Sequence, residues 1–217
     1  MTSKRTHQRR STRTATLAGM AAVALLLFGA ASALAGELLI LGSKSKPDLE
    51  YFAAKGERND VHISDSKAGY VIQDLGPTIK NSASKCRRTA DRHKVTCPHK
   101  ISRGGAKRKP AFLNVVLNDG NDFLTMSAAV HVPLTVSCDS GDDRIYGGPS
   151  GDTIFGKNGD DYLDGRGGHD TISGGDGDDI IISNDDNADV VKCGPGTDRV
   201  EGDQFDKIAK DCERVEA

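Results

Sequence analysis

The chain has no tryptophan, and its 217 residues include only four tyrosines and six phenylalanines. Aromatic burial therefore cannot carry a core, and the aliphatic side chains do not make up the shortfall against backbone entropy. No H-E-x-x-H or G-x-S-x-G is present, which removes the usual metalloprotease and esterase signatures. His131 and His169 have no nucleophile near them in sequence and read as surface residues. Beyond residue 35 no apolar run is long enough for a membrane span. From residue 36 to about 116 no clear helical period is found either. An enzyme is not expected from this pattern.

A one-signed net charge is also missing: 29 Lys+Arg face 31 Asp+Glu, for a balance of −2. That balance hides a split. Residues 36–137 carry 16 basic and 10 acidic side chains, a surplus of +6, whereas residues 138–217 carry 8 and 21, a deficit of −13. The acidic half contains the feature around which the chain is organised. From Cys138 to Ile182 it reads CDSGDDRIY, GGPSGDTIF, GKNGDDYLD, GRGGHDTIS, GGDGDDIII, five blocks of nine residues in register. The sixth position is always aspartate: Asp143, Asp152, Asp161, Asp170 and Asp179. The eighth is always aliphatic: Ile145, Ile154, Leu163, Ile172 and Ile181.

A Gly-Gly-Asp-Gly tract bends the chain, and the Asp-x-aliphatic-x tract after it is a minimal strand with one side chain turned inward. Two units then complete one revolution of a coil, and units two apart stack about 4.8 Å from each other. Asp143, Asp161 and Asp179 fall on one edge, and Asp152 and Asp170 on the other. Carboxylates at that spacing repel by roughly 1 kcal/mol in water and roughly 3–4 kcal/mol at an effective dielectric of 20. Cations must neutralise them. Carboxylates together with glycine-turn carbonyls make an all-oxygen site, which suits calcium better than magnesium or zinc.

The blocks resemble the G-G-x-G-x-D-x-U-x nonapeptide of RTX (haemolysin-type) calcium-binding repeat proteins of the secreted bacterial type. The resemblance implies an all-β, right-handed parallel β-roll or β-solenoid with calcium held between stacked turns. It also implies ligands: the five sixth-position aspartates, and carbonyls of the turns at Gly147-Gly148, Gly156, Gly165 to Gly168, and Gly174-Gly175 to Gly177. Asp122 and Asp198, in looser copies of the repeat on either side, join the set. Ser150 at a fourth position, Lys157 and Arg166 at second positions, and the leading Cys138-Asp139 depart from the pattern and are expected to weaken nearby sites.

The rest of the chain is read around this core. Residues 1–35 are expected to be an export signal: a basic head with Arg9 and Arg10, an apolar stretch from Leu17 to Ala33, and cleavage after Ala35. An uncleaved anchor is the alternative. Residues 36–116 are expected to form irregular β coils with strands near Glu37–Leu41, Asp60–Ser64, Tyr70–Gln73, His93–Cys97 and Ala111–Leu117. A separate small β domain is the other reading. Residues 117–192 hold the repeats, with 138–182 as the regular part, and 193–217 form a terminal coil and cap. After Ile182 the register breaks: Asp189 falls one place late, which leaves Asp179 last in its column.

Lys100 to Lys109 could contact an anionic polymer or cell surface. A solvated loop is the plainer reading, and no interleaved aromatic supports nucleic acid. The five cysteines imply disulfides and one remainder. Cys86 with Cys97, and Cys193 with Cys212, are the expected pairs, with Cys138 left over; zinc at Cys86, His93, Cys97 and His99 is the competing reading of the first pair. A secreted calcium-binding structural or interaction module is the function expected. A small calcium-stabilised hydrolase and a calcium-dependent adhesin are the alternatives.

Overall fold

The computed structural model of the chain describes residues 35–42, 47–53, 55–76, 78–81, 86–88, 90–103 and 106–216. The expected export signal lies outside them, apart from Ala35. Among the described residues every regular element is a strand. No helix there is long and apolar enough to cross a membrane.

The chain passes back and forth between two sheets. One runs, edge to edge, through Thr78–Asn81, Ala35–Gly42, Pro47–Phe52, Leu113–Val116, Leu134–Ser140, Thr153–Asn158, Thr171–Asp176, Val190–Lys192 and Lys207–Ile208. The other runs through Arg87–Arg88, Lys94–Cys97, Gly69–Asp74, Asp60–Ser66, Phe123–Met126, Arg144–Tyr146, Tyr162–Asp164, Ile180–Ile182, Arg199–Glu201 and Arg214–Glu216. From Pro47–Phe52 and Asp60–Ser66 onward all pairings along both sheets are parallel, the mark of a β-solenoid.

The eighth-position side chain of each unit fills the interior. Leu124, Ile145, Leu163, Ile181 and Val200 stack in the second sheet, and Val115, Val136, Ile154, Ile172 and Val191 in the first. All ten are buried. From Ile145 onward one aliphatic group per half-coil is a thin core, whereas the earlier half-coils also bury Leu113, Leu117, Met126 and Leu134. The coils are therefore held as much by the backbone ladders between them as by apolar burial.

The amino-terminal region joins the same two sheets, and its strands Pro47–Phe52, Asp60–Ser66 and Leu113–Val116 extend the parallel stack. Beyond them the pairing turns antiparallel, Ala35–Gly42 on Pro47–Phe52, and Gly69–Asp74 on both Asp60–Ser66 and Lys94–Cys97, except that the edge strand Thr78–Asn81 lies parallel to Ala35–Gly42. These strands cover the amino-terminal edges that an open coil would leave unpaired. The segment read as a solvated loop is a hairpin, with Ile101–Arg103 paired to Ala106–Arg108.

Cys86 is bonded to Cys97, and Cys193 to Cys212. The first bond removes both thiolates that the zinc reading needed. Cys138 is a free thiol, 0% exposed, in the interior.

Candidate metal centre

Each sixth-position aspartate stands where a turn enters a strand, and its Oδ1 accepts the N–H of the corresponding residue one coil earlier. On one edge Asp122 Oδ1 takes the Asn59 N–H at 2.7 Å, Asp143 that of Asp122 at 2.7 Å, and Asp161 that of Asp143 at 2.8 Å. The file continues with Asp179 on Asp161 and Asp198 on Asp179, both at 2.9 Å. On the other edge Asp152 accepts from Leu134 at 2.8 Å, Asp170 from Asp152 at 2.6 Å, and Asp189 from Asp170 at 2.8 Å. Asp206 follows, taking the Asp189 N–H at 3.0 Å.

Asp179 is therefore not the last of its column. The extra residue after Ile182 is absorbed in the turn before Asp189, and the strands on either side re-pair at a separation of 19, as in Ile172↔Val191 and Ile181↔Val200. The one-place delay of Asp189 is confined to the turn and leaves the column intact.

The second oxygen is the telling one. Oδ2 of Asp122, Asp143, Asp161, Asp170, Asp179, Asp189 and Asp198 is buried and accepts no hydrogen bond. Asp152 differs: its Oδ2 takes the Gly148 N–H at 2.7 Å. Room for these oxygens comes from the first glycine of the unit. A Cβ at Gly147, Gly156, Gly165 or Gly174 would run into Oδ2 of Asp152, Asp161, Asp170 or Asp179, respectively. None of these four has a positive φ, so they are needed for clearance and not for conformation. Gly168, Gly175 and Gly177 serve the other purpose, with φ of 126°, 129° and 136° and the neighbouring turn's backbone against them. Gly148 is different again: a side chain there would meet the Met126 methyl.

Fifth-position carboxylates form a second, exposed file on the first edge. Asp142 Oδ1 accepts from Asp160, Asp160 from Asp178, and Asp178 from Thr197. The second edge has Gly151, His169 and Ala188 there instead. The first edge is thus the more strongly anionic of the two.

Burial raises the eight buried aspartates of the two files. Asp143 and Asp179 are pushed up to about 7, first by loss of water and then by neighbouring carboxylates, among them Asp161. Asp122, Asp152, Asp161 and Asp189 reach about 6, with burial again the leading cause. Asp170 is highest at about 8, raised by burial and by Asp152, Asp189 and Asp185. Asp198 is also raised. Stacked carboxylates without a counter-ion are held toward their protonated form. A hard, oxygen-seeking cation at the unpaired oxygens reverses that balance.

Sequence reading missed four members, the first of them Asp189, which was read as out of register and yet accepts the Asp170 N–H. Asn59 takes the sixth-position place at the amino-terminal end, two residues before buried Val61, and its amide also donates to Asp122 Oδ1 at 3.0 Å. Asp206 continues the second file and Glu213 closes the first, accepting the Asp198 N–H at 2.9 Å. The signal for Asn59 was present in the segment Gly56 to Ile63, a loose copy of the repeat.

A family model for the RTX calcium-binding nonapeptide repeat (4 copies) matches residues 139–172 and 155–190. No curated protein and no solved structure matches the chain.

Proposed function

We propose that this chain, whose residues 139–190 match the RTX calcium-binding nonapeptide repeat within a parallel β-solenoid, is an exported module whose fold is built by calcium and whose role is structural or adhesive. The buried file of unpaired Oδ2 atoms carries this reading. Such oxygens are costly to bury, and a cation held between turns satisfies them together with turn carbonyls. In this reading Asp143, Asp161, Asp179 and Asp198 supply one edge, with Asp122 at its start. Asp170 and Asp189 supply the other, and Asp152 is a weak member because its second oxygen is already bonded.

Residues 1–35 direct export and are removed, 36–116 close the amino-terminal end, 117–192 bind calcium and 193–217 cap the coil. Two disulfides suit an oxidising compartment. RTX-type repeats are typically structural, and the chain's role in this reading is non-catalytic. Calorimetric titration of the full chain with calcium tests the core of the proposal. Several ions bound with coupled folding supports it; no calcium uptake refutes it.

An adhesive role is favoured by one observation. Asp65, Tyr70, His99, Lys100, Lys109 and His131 surround a cavity of about 410 Å³ near the amino-terminal end. Lys100 and Lys109 there suit an anionic group of a surface polymer, with His99 held by Asp65 beside them. Retention on envelope fractions in calcium, and release by chelator, is the expected result.

A further inference from the structure

The turn that absorbs the extra residue runs from Ser183 to Ala188 and contains no glycine. It is closed by side chains: Asp185 Oδ1 accepts the Asn187 N–H at 2.8 Å, and the Asn187 amide donates to the Asp185 carbonyl at 3.2 Å. Asp186 has a φ of 66°. This turn brings Asp185 in beside two members of the second file. A carboxylate oxygen from each of Asp170, Asp185 and Asp189 lies within 4.8 Å of one from each of the others.

The three Oδ2 atoms are buried and none accepts a hydrogen bond. Asp170 and Asp189 are only 2% and 1% exposed, and no ion pair among the described residues includes any of the three. Two oxygens on opposite sides of a calcium ion at about 2.4 Å each are about 4.8 Å apart, so one ion can reach all three.

We infer that Asp185, with Asp170 and Asp189, forms a calcium site at the register break that is built on three side-chain carboxylates. Asp185 stands at the third position of its unit, where the earlier units have Ser140, Pro149, Asn158, Gly167 and Asp176. The site adds a charged side-chain ligand in a turn that contains no glycine. It also fixes the irregular turn against the coil above it, so that both files continue across the break to Asp198 and Asp206.

This inference rests on the calcium-binding reading, and calorimetry on the full chain separates the two. Asp185→Asn keeps the oxygen that accepts from Asn187 while removing the charge. It should bind one calcium ion fewer than wild type, or bind one at least about tenfold more weakly. Asp176→Asn, the exposed third-position control one unit earlier, should match wild type. An unchanged ion count and affinity in Asp185→Asn overturns the inference and leaves the general reading standing; a wild-type chain that takes up no calcium sinks both. A readout on the wild type covers a variant that does not fold. In a chain labelled with carbon-13 aspartate, the Asp185 carboxyl resonance should move in the same calcium step as those of Asp170 and Asp189. A shift at those two with none at Asp185 rules it out as a ligand.

Discussion

A sixth-position aspartate divides its work between its two oxygens. Oδ1 takes a backbone N–H and holds one coil to the next, whereas Oδ2 is left for a cation, except at Asp152 where Gly148 occupies it. Asparagine keeps the first role and loses the charge of the second. Asp161→Asn should therefore raise the calcium midpoint of folding about tenfold, ~1.4 kcal/mol. Asp179→Asn should match it, because Asp198 stands beyond Asp179 as Asp179 stands beyond Asp161. Asp152→Asn should shift the midpoint by less than about threefold, ~0.7 kcal/mol. Calcium titrations followed by circular dichroism compare the three; a shift at Asp152 as large as at Asp161 would show that the unpaired oxygen is not the ligand. Cys138 offers a second readout at this scale. Its thiol, pushed well above its ordinary range by burial and by nearby Asp143, is sealed in the interior. A thiol buried in this way neither meets a thiol reagent nor links two chains while the protein is folded. Labelling should be slow in calcium and fast in chelator, and equal rates would mean that the coil around Cys138 stays formed without the ion.

At the level of the half-coil, turn plus strand, the files of carboxylates set the response to pH. Asp143, Asp170 and Asp179 have folded-state values of about 7, 8 and 7, against about 3.9 for an unfolded aspartate. Between pH 4 and 8 the folded, metal-free chain thus binds more protons than the unfolded one, and its stability falls as pH rises through that window. Calcium competes for the same oxygens, so its apparent affinity should rise from pH 6 to pH 8. In chelator the residual β signal should be larger at pH 5 than at pH 8; the opposite order would contradict the burial of these groups. The last element has its own support, since the Cys193–Cys212 bond, at a separation of 19, ties the terminal coil to the one before it. Replacing both cysteines by serine should destabilise the calcium-loaded protein by about 3 kcal/mol in denaturant titrations.

Over the whole molecule, what was legible in the sequence follows the regularity of the chain. Where nine-residue units recur, an aspartate and an aliphatic at fixed places determine the coil, its two edges and its interior, and those were read residue by residue. The break after Ile182 was read as the end of a column because spacing was counted along the chain. The structure counts along the sheet, where one extra turn residue changes nothing in the strands. Pro47–Phe52 and the antiparallel strands at the amino-terminal end were illegible or partly so, because their pairing partners lie far away in sequence and no repeat announces them. The disulfides were legible from compartment and spacing, and the burial of Cys138 was not, since the first position of the other four regular units is a glycine.

All these properties depend on a thin core and two files of like charge that need a cation to stand. Far-UV circular dichroism of the full chain, titrated with calcium from chelator at pH 7.5, tests that most directly. The β signal should be mostly absent in chelator and return cooperatively, with a midpoint on the order of 10⁻⁴–10⁻³ M as for extracellular calcium modules. Magnesium at the same concentration should restore little of it. A spectrum that stays the same from chelator to saturating calcium would contradict the dependence of this fold on the ion.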